Sequence, residues 1–168
     1  MTAISRTLIL IAHNLRSTHN VGSLLRTADG LGVQMVYLTG YTPYPLLSDD
    51  PRLPHIASKI HHQISKTALG AEDSQKWERR DDLESLLNEL KADDYLICAL
   101  EQTPESIALP DFNPAAKLAI VVGREVEGIE PEILALCDQA LEIPMFGVKE
   151  SFNVVQAAAM ALYHCRFA

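Results

Sequence analysis

The 168-residue sequence lacks an apolar run long enough to cross a membrane, and it contains few cysteines. A membrane-spanning helix needs about 20 consecutive apolar residues, and the apolar run from Thr7 to Ala12 is also too short for a signal peptide. Cys98, Cys137 and Cys165 are far apart and form no C-x-x-C pair, which predicts buried thiols rather than a disulfide framework. These absences favour a cytoplasmic protein without membrane attachment.

Two common signatures of a bound ligand are also missing. The six histidines include the pair His61 and His62, but no cysteine or carboxylate partners stand at the short, regular offsets of a zinc site, so we expect no metal. The first strand-like run, "LILIAHN", is followed by a stretch with a single glycine rather than by G-x-G-x-x-G, which counts against a Rossmann-type nucleotide site there. The glycines collect instead in "VVGREVEGI" and "IPMFG", and we expect a small molecule to bind on backbone groups of these C-terminal loops.

The chain has an excess of acidic residues, with a formal net charge of −8. This argues against a protein that coats nucleic acid nonspecifically, because phosphate binding depends largely on lysine and arginine. The charge is unevenly distributed: the chain up to Gly70 has six basic and three acidic residues, a net of +3, and the remainder nets −11. Either a polyanion meets the N-terminal part, or the charges cluster by chance.

The length of the chain predicts a single domain over residues 1–168 with a core that needs no disulfides or metals. Apolar runs of strand length alternate with segments of helical periodicity, which predicts a parallel α/β fold. The expected strands are "RTLILIAHN", "VQMVYLTG", "YLICALE", "KLAIVVG" and Leu141 to Pro144, and the expected helices are "NVGSLLRTADGLG", "DDLESLLNELKADD", "EPEILALCDQA" and "SFNVVQAAAMALYHCR". The proline-rich segment from Tyr41 to Pro54 is expected to be a surface loop.

Three stretches, in order along the chain, carry a resemblance to a known family. "HNVGSLLRTADGLGV" is similar to the motif N-x-G-x-x-x-R-[TS]-A followed by G, and "LAIVVGREVEGI" to a strand followed by G-x-E-x-x-G. "LEIPMFGVKESFNVVQAAAMALY" is similar to I-P-M-x-G followed by S-L-N-V and a helix of small residues. Together they resemble the SpoU (TrmH-like) branch of the SPOUT methyltransferases, which methylate RNA ribose 2′-hydroxyls with S-adenosylmethionine. The resemblance covers nearly the whole chain.

The chain departs from the family pattern at a few positions. Phe152 stands where leucine is usual, and Val155 and Gln156 replace Ser-Val. These positions are buried or backbone-mediated in the family, so the implied chemistry is unchanged. Arg124 stands where asparagine is frequent, which bears on contacts beside the substrate. The sequence shows no N-terminal RNA-binding extension of the kind found in several ribosomal-RNA members, so we expect a minimal enzyme that consists of the catalytic domain.

The resemblance implies a parallel α/β sheet whose C-terminal segment forms a deep trefoil knot. Knots are essentially absent from proteins in general, so physical reasoning alone argues against one. The resemblance also implies S-adenosylmethionine as cofactor, an RNA substrate with tRNA expected over rRNA, and a homodimer with its active site at the interface. The small residues Ala157, Ala158 and Ala161 of the last helix allow close helix approach, and the resemblance puts dimer contacts there.

Arg26 is the catalytic residue that the resemblance implies. Gly22 precedes it by about one helical turn, and we expect the glycine to leave room for a phosphate or ribose beside the guanidinium. Arginine keeps its proton in proteins, so we expect Arg26 to hold a phosphate and the developing alkoxide by paired hydrogen bonds. Asn20 either caps this helix or orients Arg26 or the ribose.

The remaining site residues lie in the two C-terminal motifs. Glu125 either accepts amides of its own turn or, as the resemblance implies, lies near Arg26 and the substrate. Ser151 and Asn153 start the last helix, where either is an ordinary cap or faces the cofactor and the catalytic centre. Lys149 and Arg124 add positive charge for RNA or are simply solvated. The cofactor-binding residues that the resemblance implies are Gly123, Gly128, Ile143, Met145, Ser151 and Asn153.

Three rival interpretations remain open. A protein of the same fold can be a catalytically silent RNA- or cofactor-binding module, although such a copy need not keep Asn20, Arg26, Glu125, Ser151 and Asn153 together. An RNA 2′-O-methyltransferase can act on rRNA rather than tRNA. A base methyltransferase of Rossmann type is disfavoured by the missing glycine-rich turn after the first strand.

Overall fold

The computed structural model describes residues 6–168, which form one seven-stranded sheet. The strands are β1 (Thr7–His13), β2 (Met35–Thr39), β3 (Trp77–Arg80), β4 (Leu96–Leu100), β5 (Ile107–Ala108), β6 (Lys117–Val122) and β7 (Gln139–Glu142). Their order across the sheet is β3-β2-β1-β6-β4-β7-β5, and every neighbouring pair is parallel. This confirms the parallel α/β fold predicted from the alternation of apolar runs.

Helices cover both faces of the sheet. They are α1 (Thr18–Gly30), α2 (Pro54–Ala68), α3 (Ala71–Ser74), α4 (Leu83–Ala92), α5 (Pro131–Leu134) and α6 (Val154–Phe167), with a short 3-10 turn at Leu109–Asp111. One core cluster joins the sheet to α1, α2 and α6, and a second joins it to α4 and the segment around α5. Leu10 and Ile11, neighbours on opposite faces of β1, are both fully buried, as expected for a parallel sheet covered on both sides.

The segment between β6 and α6 differs from the prediction. The helix expected through Ala140 ends at Leu134, and the strand expected from Leu141 to Pro144 runs instead from Gln139 to Glu142. The reason is pairing with β4, because Asp138 N donates to Ile97 O at 2.8 Å and the backbone then continues as a strand beside β4. Strand pairing here overrides the helical pattern of the local sequence.

The sequence patterns predict none of α2, α3 and β3. The buried residues of α2 are Ala57, Ile64 and Ala68, two of which are alanines that add little apolar signal to the sequence. β3 is a four-residue edge strand of sequence WERR that pairs only with β2. The segment from Tyr41 to Leu53 contains no helix or strand, which confirms the predicted loop.

The prediction about Gly22 is wrong, and the small residues of α6 are only partly accessible. Gly22 does not leave room for a ligand, because a Cβ at this position would overlap Ile64 O and Thr67 Oγ1 of α2, so the glycine permits close packing of the two helices. Ala158 and Ala161 are fully buried within the chain, where they allow close packing of α6, whereas Ala157 is only half-buried; dimer contacts on this helix stay a prediction. The exposed residues of α6 include the aromatic pair Tyr163 and Phe167, whose ring centroids are 4.7 Å apart.

Burial differs among the three cysteine thiols. Cys98 and Cys165 are buried as predicted, and burial raises the pKa of both thiols to about 12. Cys137 is only half-buried, and burial raises the pKa of its thiol to about 11.

Among residues 6–168, no helix has the length and apolar character needed to span a bilayer. No group of three His, Cys, Asp or Glu residues in the described part of the chain is arranged to hold a metal ion.

Candidate functional site

A cleft lies at the carboxyl ends of β4, β6 and β7, where ligands of parallel α/β sheets usually bind. It is formed by the loops that follow these strands and by the start of α6. Five of the six expected cofactor residues line it: Gly123, Gly128, Ile143, Met145 and Ser151. Asn153 is not among the lining residues and lies at the N-terminus of α6.

The loop after β6 forms one wall of the cleft from its backbone. Gly128 N donates to Arg124 O at 3.2 Å, and the Arg124 side chain donates through Nε to Gly128 O at 3.1 Å. Gly128 has a φ of +72°, and a Cβ on Gly123 would overlap Ile129 and Gly128. The two glycines therefore allow a tight loop that presents main-chain groups to the cleft. Arg124 is bound to its own loop, which limits its availability to RNA.

Glu101 and Gln102 line the cleft and were missed by the sequence analysis. Glu101 Oε2 accepts from Ile129 N at 3.0 Å, and Gln102 Nε2 donates to Glu150 O at 3.1 Å, so the two residues connect the three loops around the cleft. Only their position in the sequence could have indicated these two residues. Both directly follow the buried strand β4, and ligands of parallel sheets bind at the carboxyl ends of the strands.

Glu125 is bonded to the N-terminal region of α1. Its carboxylate accepts from Asn20 Nδ2 at 3.2 Å, Ser17 N at 3.3 Å and Arg16 N at 3.4 Å. Burial tends to raise the pKa of Glu125, but hydrogen bonds from its own backbone amide and from Asn20, Ser17 and Arg16 outweigh burial and hold the pKa below its ordinary value. The carboxylate is therefore ionised near neutral pH and occupied by hydrogen-bond donors.

Asn20 connects Glu125 to α6. Ser17, not Asn20, caps α1, because the Ser17 side chain accepts from Asn20 N at 3.1 Å. The Asn20 amide is thus free to donate to Glu125 and to accept from Asn153 Nδ2 at 3.4 Å. Asn153 caps α6 by accepting from Val155 N at 2.9 Å. Three expected catalytic residues, Glu125, Asn20 and Asn153, therefore form one hydrogen-bonded chain at the edge of the cleft.

Arg26 lies outside this arrangement. Its side chain is exposed, does not line the cleft, and makes no hydrogen bond or ion pair with residues 6–168. It follows Asn20 by six residues, which corresponds to about 9 Å along the axis of α1. Within one chain Glu125 bonds to Asn20 and not to Arg26, so the expected proximity of Glu125 and Arg26 stays a prediction. Lys149 is likewise exposed, in the loop before α6.

A buried polar network that the sequence analysis missed lies behind the site, at the ends of β1 and β2. His13 Nδ1 is 2.8 Å from Thr39 Oγ1, and Asn14 Nδ2 is 3.1 Å from His13 Nε2. Asn14 Nδ2 also donates to Glu130 Oε1 at 2.8 Å, and Glu130 Oε1 lies 3.7 Å from Arg124 Nε. The network links β1 to the loop that carries Arg124 and Glu125.

We expect His13 to make the protein less stable in mild acid. Burial lowers the pKa of His13, the nearby Glu130 carboxylate raises it to a smaller extent, and the net pKa is below its ordinary value. The unfolded chain then takes up a proton at His13 first, below a pH of about 6.5, so stability is lost as pH falls through this value, at no more than about 1.4 kcal/mol per pH unit. Melting temperatures between pH 7.5 and 5.5 are expected to fall more steeply for wild type than for His13→Gln. Equal slopes would contradict this assignment.

The chain is similar to a known protein family and to several named proteins. A family model described as the SpoU rRNA Methylase family matches residues 7–163. The tRNA (guanosine(18)-2′-O)-methyltransferase of Aquifex aeolicus is 30% identical over 95% of this chain and 68% of that protein. The 23S rRNA (guanosine-2′-O-)-methyltransferase RlmB of Bordetella pertussis is 33% identical over 93% of this chain and 58% of that protein.

A solved structure shares the fold. The AdoMet-bound rRNA methyltransferase from Sinorhizobium meliloti has a TM-score of 0.79 and 19% sequence identity, and the match covers 95% of this chain and 56% of that chain. The present chain therefore spans only part of each of the three proteins, from 56% of the Sinorhizobium chain to 68% of the Aquifex protein.

Proposed function

The chain belongs to the SpoU rRNA methylase family, and from this membership we propose that it transfers a methyl group to a ribose 2′-hydroxyl of RNA. The observation that carries the proposal is the glycine-walled cleft beside the hydrogen-bonded chain of Glu125, Asn20 and Asn153. A catalytically silent module of this fold is the main alternative, and a silent module has no need for these three side chains to meet at the cleft.

We assign S-adenosylmethionine to the cleft as the cofactor. The cleft combines backbone groups at Gly123 and Gly128 with apolar walls at Ile143 and Met145, which suits a ligand with a flat base and a polarizable sulfur. Ser151 adds a hydroxyl at the edge of the cleft. When bound, S-adenosylmethionine supplies an electrophilic methyl group.

The roles of the side chains follow from what a ribose hydroxyl needs in order to react. The hydroxyl must lose its proton, and the ribose must be held in one orientation. We assign Glu125, Asn20 and Asn153 to orientation, because Glu125 is occupied by hydrogen-bond donors and is poorly placed to act as a free base. Arg26 holds a substrate phosphate and the developing alkoxide with its paired donors.

The position of Arg26 leads us to propose a homodimer with composite sites. Arg26 lies outside the cleft of its own chain and is free among residues 6–168 to reach the cleft of a second copy. Exposed apolar residues favour a covering partner: Tyr163 and Phe167 on α6, and Phe146 and Val148 in the loop between β7 and α6. The dimer interface of the proposed enzyme thus includes the active site.

We further propose that the C-terminal segment forms the trefoil knot of SPOUT methyltransferases and that residues 1–168 are one domain. The knot is proposed from membership of the family, and β7 lies between the earlier strands β4 and β5 in the sheet. We also propose that the enzyme is cytoplasmic. We propose tRNA rather than rRNA as the substrate; the relatives include enzymes named for each, and the experiment below distinguishes the two.

The proposed function is tested by methyl transfer to defined RNA. The protein is incubated with labelled S-adenosylmethionine and with separate tRNA and rRNA fractions, and 2′-O-methyl nucleotides are mapped. We expect label in tRNA; label only in rRNA supports the second substrate. Hydrogen exchange with the cofactor product S-adenosylhomocysteine is expected to protect Gly123, Gly128 and Met145 more than α1, because the cleft loops bind through their backbone. Cofactor binding with no transfer to any RNA would favour the silent module.

A further inference from the structure

The exposed face of α2 carries positive charge in an otherwise acidic chain. His55, Lys59, His62 and Lys66 are all exposed and recur at helical spacing, so they form a single row, which we call the α2 ridge. The helix contains no aspartate or glutamate anywhere between Pro54 and Ala68. The chain as a whole has a net charge of −8, so this concentration of basic residues is local.

The α2 ridge is open to a partner. Its buried residues Ala57, Ile64 and Ala68 face the core, and the ridge lies on the opposite side of the helix. Neither Lys59 nor Lys66 has an ion-pair partner among residues 6–168. Both ammonium groups are therefore available for an anion.

The end of the α2 ridge lies beside the candidate active site. Thr67 Oγ1, next to Lys66 in sequence, donates to His19 O at 2.8 Å in the first turn of α1. Asn20 follows His19 and bonds to Glu125 at the edge of the cleft. The last turn of α2 thus packs on the turn of α1 that carries the site, and the ridge extends from that point for about 16 Å along the helix.

We propose that the α2 ridge binds the phosphate backbone of the RNA substrate outside the nucleotide that is methylated. The inference rests on the proposed function for the identity of the polyanion. A row of lysines flanked by histidine N–H donors fits a chain of regularly spaced phosphates, and backbone contacts of this kind position a nucleic acid without reading its sequence. The ridge supplies the extended RNA contact, and the cleft acts on one nucleotide.

The test removes the two lysines and measures binding against salt. The variant Lys59→Ala/Lys66→Ala is compared with the control variant Lys76→Ala/Lys117→Ala. Lys76 and Lys117 are exposed and lie at the amino ends of β3 and β6, whereas the cleft lies at the carboxyl ends of the strands. The probe is bulk tRNA, titrated between about 50 and 200 mM salt. We expect the ridge variant to bind tRNA roughly tenfold more weakly at the low-salt end. The plot of log K against log salt is expected to become shallower, with the magnitude of its negative slope smaller by about 1.4 to 1.8. The control is expected to match wild type.

Two further measurements make the outcome decisive. Lys59→Glu/Lys66→Glu is expected to weaken tRNA binding more than the alanine variant, while thermal melting shows that all variants fold and S-adenosylmethionine binds as in wild type. If the ridge variants bind tRNA as the control does, the α2 ridge does not bind RNA, even if wild type methylates RNA. Conversely, if wild type methylates no RNA but the ridge variants lose tRNA binding, RNA binding by the α2 ridge is supported and the proposed methyltransferase activity is contradicted.

Discussion

Replacing Arg26 with alanine is expected to lower the single-turnover rate of methyl transfer on the order of a hundredfold or more, because a preorganised pair of donors to the phosphate and the developing alkoxide is lost. The affinity for S-adenosylmethionine is expected to stay unchanged, since Arg26 does not line the cleft. The structure also predicts little effect on folding, because the Arg26 side chain is exposed and makes no hydrogen bond among residues 6–168.

Arg26→Lys is the matched variant for this experiment. Lysine keeps the positive charge but lacks the planar fork of donors, so we expect it to restore little of the rate. Single-turnover transfer and cofactor titration are measured side by side for wild type and both variants. Near-normal turnover in Arg26→Ala would show that Arg26 is an ordinary surface arginine and that the assigned mechanism is wrong.

Mixing two inactive variants is expected to restore activity if each site is built from two chains. The first variant is Arg26→Ala, which keeps an intact cleft. The second is Gly128→Val, which keeps Arg26 but places a Cβ at a φ of +72°, where it would overlap the Glu101 carboxylate and close the cleft. In a mixed dimer, the cleft of the first chain receives Arg26 from the second. Random mixing gives half mixed dimers with one intact site each, so about a quarter of wild-type activity is expected.

The control for this mixing experiment is the oligomeric state. Sedimentation of wild type at micromolar concentration is expected to show a dimer, and exchange of differently tagged chains shows that mixed dimers form. No recovery of activity in confirmed mixed dimers would mean that Arg26 acts within its own chain. A fully active monomer would refute the composite site altogether.

The parallel α/β fold and five expected cofactor residues of the cleft could be predicted from the sequence. Gly123 and Gly128 lie in a short turn after a buried strand, and Ile143 and Met145 follow another, so adjacent residues already carry the pattern. The tertiary structure was needed for the edges of the site. Glu101 and Gln102 belong to no motif, and they become lining residues only because β4 lies between β6 and β7.

The sequence by itself determined the family and the fold class and led to the candidate site residues, because each motif is a local run of residues with its own spacing. Only the tertiary structure decided which of these residues meet. Asn20 bonds to Glu125, 105 positions away, and to Asn153, 133 positions away, and neither contact is encoded in a local pattern. Likewise, Gly22 packs against α2 and Arg26 lies outside its own cleft because of how α1 sits against α2 and α6. Such contacts depend on the packing of distant helices on one sheet, which local periodicity does not specify.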